Sequence, residues 1–213
     1  MSYTERAEAL LHEWVQSESL RKHCYAVAAS MRHFATRMGG APDLWGAVGL
    51  LHDLDFEQYP AMPGSGPEIT AISEALTGDG PVPAQLPGHP FYGVARLREL
   101  GWPAEVRRAI LSHADYSGIP RVTPMEKTLA AVDELSSFVV ACALVKPSRS
   151  VDEVDVRSVR KKMKDKAFAR AVSREEIAHN AEALGLPLDE VIAGVIAALQ
   201  QDAVRLGVAG TAT

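Results

Sequence analysis

The stretch Gly49-Leu50-Leu51-His52-Asp53-Leu54-Asp55 decides how this chain is read. It closes a segment from Pro42 to Leu51 with apolar residues on almost every side: Leu44, Trp45, Ala47, Val48, Leu50 and Leu51. A helix that is hydrophobic all round is a buried one. A histidine and a carboxylate delivered to such a place need partners, because an unpaired buried charge costs far more than folding can spare. A metal ion is an obvious partner, and its other ligands must come from elsewhere in the chain.

Outward from this segment, nearly every stretch has helical spacing and none alternates as a strand would, so the expected fold class is all-α. A first helix is expected from Thr4 to Gln16, burying Ala9, Leu10 and Trp14. A second begins at Ser19 and stops at Gly39-Gly40, a strong breaker pair. On it Leu20, Cys24, Val27, Met31, Phe34 and Met38 fall within about 40° of a common direction, with His23 at the edge of the stripe and His33 about 140° away. Later helices are expected from His89-Pro90 to Leu100, from Pro103 to Ala114 and from Pro124 to Val145. Val151 to Val172 reads as a charged amphipathic helix, Ser173 and Glu176 as a capping box for the next, and Leu188 to Leu206 as the last. Residues 1–147 are thus expected to form a helical core, residues 148–206 to pack helices on it, and residues 207–213 to fray.

Between these helices, Tyr59 to Pro87 holds six prolines and four glycines, with one apolar run, Ile69 to Leu76, that suits a helix. A loop this long in a compact domain is usually functional or disordered. It follows the His52-Asp53 pair directly, so a lid over the site and a surface insertion are both open readings of 60–87.

Bulk properties exclude several classes. The 213 residues fit one domain with a helical appendage, and 47% apolar content supports a substantial core. A net charge of −5 argues against extended nucleic-acid binding, though not against a local basic patch. Cys24 and Cys142 form no metal or redox motif and read as small buried hydrophobes in a reducing compartment. The N-terminus carries Glu5, Arg6 and Glu8 where a signal peptide would be apolar, and no run approaches the roughly 20 apolar residues of a membrane span. A cytoplasmic protein without membrane contact is expected, and a homodimer is open.

Further polar residues interrupt apolar helical faces. Asp133 shares a face with Leu129, Val132 and Ser136; His113 shares one with Val106 and Ile110; His89 sits at a helix start. Histidine and carboxylate without thiolate suit manganese, iron, cobalt, nickel or magnesium better than structural zinc. Neighbouring helical residues point about 100° apart, so His52 and Asp53 can share a site only near a helix end, where a carboxylate can bridge two ions.

The order His23, His52-Asp53, Asp133, with His89 and His113 between, resembles the HD superfamily of metal-dependent phosphohydrolases, an all-helical fold named for its adjacent His-Asp pair. The surrounding text is similar: His89 followed by Gly93 and Leu97, the His113-Ala-Asp-Tyr-Ser-Gly-Ile-Pro stretch, then Glu126-Lys127 and Asp133. The resemblance covers roughly Ser19 to Pro147 and is nearest to small stand-alone predicted hydrolases. It implies one or two divalent ions: His23, His52, Asp53 and Asp133 on the first, His89, His113 and bridging Asp53 on the second. It further implies a metal-activated hydroxide attacking a phosphoester or nucleotide. Lys127, Arg121 and Arg149 are candidates for phosphate oxygens or simply surface charges. Asp55 is a candidate for a catalytic role, orienting a ligand histidine, and Asp115 and Tyr116 for lining the pocket. His12, His33 and His179 lie outside the pattern. Two departures touch the rim: Leu54-Asp55 stands where many members have Ile-Gly, and the 60–87 insertion is not general. The same ligand list also serves mixed-valence di-iron oxygenases of the superfamily, and a non-catalytic nucleotide or metal sensor is a third reading.

Overall fold

A computed structural model describes residues 1–78 and 80–210. In order, the helices are α1 (Tyr3–Trp14), α2 (Glu18–Met38), α3 (Pro42–Leu51), α4 (Pro67–Thr77), α5 (Phe91–Glu99) and α6 (Ala104–His113), followed by α7 (Pro124–Leu144), α8 (Val156–Met163), α9 (Arg174–Leu184), α10 (Leu188–Gln201) and α11 (Ala203–Leu206). Short 3-10 turns occupy Asp115–Ser117 and Val151–Glu153. Among the described residues there is no strand, only a bridge between Ser150 and Ala209, and the fold is all-α. No helix among them is long and apolar enough to cross a membrane.

Helix boundaries follow local chemistry. Ser2 and Glu5 form a capping box on α1, and Thr123 and Glu126 form one on α7. Ser17, not Ser19, caps α2 through the Leu20 amide, and Gly39 closes that helix at φ 73°, where a glycine is favoured. On α1 the buried residues are Ala7, Leu10 and Leu11; Ala9 faces solvent, because the buried row is i, i+3, i+4 from Ala7. Met38, expected in the α2 stripe, is 36% exposed because it is the last residue of the helix.

The core is built on α2 and α7, which pack on one another, with α3 against α2, α9 against α7, and α10 against both. The α2–α3 contact is unusually close. A Cβ added at Gly49 would lie 2.6 Å from Ala28 Cα. A buried hydroxyl pair, Ser30 Oγ to Ser136 Oγ at 2.9 Å, ties α2 to α7 within that core. Cys24 and Cys142 are free thiols and both are buried.

Three expectations are corrected. The charged segment 151–172 is not one helix: only Val156–Met163 is α-helical, and turns follow. The turns persist because the Arg174 guanidinium gathers the carbonyls of Phe168, Ala169 and Val172, which a continuous helix would consume itself. The last helix breaks at Asp202, whose carboxylate pairs with Arg32 at 2.9 Å. Residues 207–210 do not fray: Val208 is fully buried and its carbonyl accepts from the Val151 amide at 2.8 Å. Residues 211–213 lie outside the described residues.

The 60–87 insertion is partly wall. Its helix α4 buries Ser73 and Leu76, Ser73 Oγ donates to the Ser117 carbonyl at 2.7 Å, and Arg98 and Arg107 cap its last carbonyls. Its first residues are stitched to the opposite end of the loop, with the His89 amide donating to Ala61 O at 3.0 Å. Gly88 allows this approach, since a Cβ there would fall 2.1 Å from the Ala61 oxygen.

The Gly49 contact makes a simple test. Gly49→Ala should destabilise the protein by about 1–3 kcal/mol through overpacking against the α2 backbone, read as a lower denaturant midpoint. An unchanged midpoint would show that the two helices can move apart freely.

Candidate metal centre

Helix α3 ends at Leu51, and residues 52–58 continue as successive turns, with Leu54, Phe56 and Gln58 amides bonding three residues back. His52 keeps helical backbone angles as the cap of this end, φ −60° and ψ −36°, and Asp53 follows it in the turns. His52 reaches towards α2 and α7, and the Asp53 carboxylate lies between two groups of histidines.

The first group is His23 from α2, His52, and Asp133 from α7; the second is Asp53, His89 and His113. Within each, one donor atom per residue lies within 4.8 Å of the others, so each group could hold a metal ion. His23 Nε2 is 3.0 Å from His52 Nε2 and 3.1 Å from Asp133 Oδ1, and His52 Nε2 is 3.4 Å from the same oxygen. His89 Nε2 and His113 Nε2 are 3.2 Å apart. Asp53 faces both groups: Oδ2 lies 3.5 Å from His23 and from His52, while Oδ1 lies 3.4 Å from His89 and 3.7 Å from His113.

Donors each about 2.1 Å from one ion lie roughly 3.0–3.4 Å apart, which is the spacing found here. The outer ring nitrogens explain why a cation is needed. His52 Nδ1 meets the Gly49 carbonyl at 2.9 Å, His113 Nδ1 meets the Ile110 carbonyl, and His89 Nδ1 meets Asp55 Oδ1 at 2.7 Å. All three partners accept, so each Nδ1 carries a proton and each ring turns Nε2 inwards. His23 Nδ1 is held by Ser137 Oγ at 2.8 Å. Inward lone pairs facing one another require a proton or a metal between them.

Without an ion the protonation pattern meets that need in part. Burial pushes His52 down, but Asp53 and Asp133 outweigh it and raise its pKa to about 9. Burial, then His89 and His52, lowers His113 to about 4. Burial raises both carboxylates, yet His52 and His23 hold Asp53 low and Asp133 well below the usual range. One imidazolium between two carboxylates is therefore the metal-free arrangement, and an ion replaces its proton.

Above the two groups opens a cavity of about 400 Å³. Asp115, Tyr116 and Arg121 line it as the sequence suggested, while Lys127 and Arg149 do not. Lys127 is six residues before Asp133 on α7, so it points about 120° away. Arg149 is exposed beyond the end of α7. The Arg121 fork is already engaged, donating to Ser112 O, His113 O, Asp115 Oδ1 and Asn180 Oδ1, so it offers positive field rather than a free bidentate clamp. Asp55 is 1% exposed and does not line the cavity; its oxygens accept from His89 Nδ1 and from the Gly93 amide at 2.7 Å. It positions His89 and touches no substrate. His12 bonds Tyr25 at 2.9 Å, His33 packs on Phe34, and His179 is exposed, all away from the cavity.

Sequence reading missed Phe56, Met62, Glu134, Glu176 and Asn180, which complete the lining. Burial, then Asp133 and Glu176, raises Glu134 to about 7. Asn180 carried a signal: it is 8% exposed between the buried Ile177 and Ala181 on α9, and its amide donates to Ala130 O at 3.1 Å. Glu176, one turn earlier, shares that face. No family model, curated protein or solved structure matches the chain.

The titrations set the pH response of the metal-free protein. The His52 contribution is full below the ordinary histidine value of about 6.5 and is lost as pH rises through about 9. The His113 depression costs nothing above about 6.5 and destabilises as pH falls towards 4. The raised Glu134 opposes the His113 loss on the acid side. In chelator the melting temperature should therefore change little from about pH 5 to about 6.5 and fall from about 6.5 to about 9, and added divalent ion should remove that alkaline decline. A metal-free melting temperature still climbing at pH 9 would contradict this arrangement.

Proposed function

We propose that the chain is a metal-dependent phosphohydrolase of the HD superfamily, acting on a small phosphoester or nucleotide. The observation that carries this reading is the sharing of one carboxylate, Asp53, by two histidine groups at ligand spacing. His23, His52, Asp133 and one Asp53 oxygen would hold the first ion; His89, His113 and the other Asp53 oxygen would hold the second. Bound ions of this kind supply hydroxide at neutral pH and neutralise charge on a phosphoryl group.

The chain's own residues do the rest. Asp55, the Gly49 and Ile110 carbonyls and Ser137 fix the rings so that Nε2 faces inwards. Tyr116 stays protonated, pushed up to about 12 by burial and then Asp55, and its hydroxyl donates to the His89 carbonyl at 2.9 Å, bracing that ligand from the cavity side. Phe56 and Met62 give the cavity an apolar flank that limits water. The Arg121 charge lies at the mouth, where it favours an anion.

Elemental analysis alongside a phosphoester and nucleotide panel tests the reading. Manganese, nickel, cobalt or magnesium with phosphate release is the expected result. Iron with oxygen consumption would transfer the protein to the oxygenase branch, and tight nucleotide binding without turnover would make it a sensor. Asp53→Ala should lose metal and turnover together, whereas His33→Ala should keep both; equal metal in the Asp53 variant and the wild type would refute the assignment. His89→Ala should retain one ion. Asp55→Asn should weaken the second ion about 10- to 100-fold, as loss of an orienting partner does elsewhere.

A further inference from the structure

The acidic net charge hides a strong local asymmetry. Residues 157–174 contain eight Lys and Arg against a single Asp, while the remaining residues hold 14 basic against 26 acidic side chains. Arg157, Arg160, Lys161, Lys164, Lys166 and Arg170 are all exposed there. Among the described residues, only Arg160 of these six has an ion-pair partner, Asp189 at 3.4 Å, while Arg157 acts on nearby Asp155 through its field. The other two cations of the segment work internally, Lys162 over the Phe168 ring and Arg174 over the Phe138 ring.

This surface is shaped. Lys161 and Lys162 of α8 line a cavity of about 330 Å³ together with Lys146, which follows α7, Ser158 and one carboxylate, Asp165. Lys164, Lys166 and Arg170 line a second, of about 530 Å³, that reaches Ser173 and Glu175 at the start of α9. The next residue of α9, Glu176, is part of the lining above the metal centre. The two cavities thus take neighbouring residues from the first turn of α9, Glu175 in one and Glu176 in the other.

Resting on the phosphohydrolase reading, we infer that this strip grips the phosphodiester backbone of a nucleic-acid chain whose end enters the metal cavity. Cations spread along a surface without paired carboxylates release counterions from a phosphate chain and gain affinity by doing so. The strip offers no free aromatic face for base stacking, since Phe168 is held between Phe138 and Lys162, so contact is with the backbone and independent of sequence. A lipid surface fits less well. No large apolar side chain within 156–174 is among the exposed ones, so the segment has nothing to insert into a bilayer.

The test uses the full chain with its metal, a fluorescent single-stranded oligonucleotide of about 16 nucleotides, and anisotropy titrations from about 50 to about 200 mM salt. Wild type should bind with a steep salt dependence. The triple variant Lys161→Glu, Lys164→Glu, Lys166→Glu should bind at least about tenfold more weakly, with a salt slope shallower by about three, while keeping metal content and melting temperature. The corresponding Lys→Gln set should shift binding in the same direction by less. Binding in the charge-reversed variant equal to wild type would overturn the inference, as would capture by phosphatidylserine vesicles but not by the oligonucleotide. Binding is read without turnover. A protein that binds the oligonucleotide but hydrolyses no phosphoester would keep the strip and retire the hydrolase reading; one that hydrolyses small esters but ignores the oligonucleotide would do the reverse.

Discussion

Four imidazole rings are held with their inner nitrogens aimed at two points either side of a single carboxylate, and the scaffold must resist the mutual repulsion of those lone pairs. Each ring is tied from behind: two to carbonyls of their own helical segments, one to a buried aspartate, one to a serine hydroxyl. The rings and their ties come from α2, from the end of α3 and the turns after it, from the loop before α5, from α6 and from α7, so the centre draws on most of the core at once. Its geometry is a property of how those elements pack rather than of any one of them. The close contact of Gly49 with Ala28 brings the end of α3 near enough to α2 for His52 and His23 to share one donor point.

Much of this was legible in the sequence because the rules involved are local. A ten-residue segment apolar on almost every side, opened by proline and closed by a polar pair, reads as a short buried helix, and α3 has the expected bounds, Pro42 and Leu51. Polar residues interrupting apolar stripes, His23, His113 and Asp133, stood out for the same reason, and the structure brings all three to the two ligand groups. What was not legible depended on partners distant in the chain. The end of α8 is set by what Arg174 does with the carbonyls around Phe168, which periodicity within the segment cannot show. Lys127 and Arg149 were chosen for charge alone, and angle and position on α7 remove them. Glu176 and Asn180 were overlooked because they belong to a C-terminal helix outside the recognised stretch. Only the packing of α9 on α7 reveals them as wall.

The electrostatic plan of the molecule has two opposite parts. Around the ligands, negative charge is concentrated and then counterbalanced by a cation in any protonation state the site adopts. On the α8 side, positive charge outweighs the few carboxylates near it, Asp155, Asp165 and Asp189. A single net value of −5 averages these and describes neither. The first turn of α9, with Arg174 facing one way and Glu176 the other, is the seam between the two.

The bond from Asp55 to His89 closes a loop across 34 positions of the chain. Together with the Ala61 carbonyl on the His89 amide, it clamps that loop near both of its ends. Lengthening a loop already clamped at its neck costs little, about 0.6 kcal/mol for each doubling. Helix α4 is itself fixed by its contacts with Ser117, Arg98 and Arg107, so added length falls most easily in the proline- and glycine-rich stretches on either side of it. Such a neck would let the chain above the centre change length while the candidate ligands beneath it stay where they are.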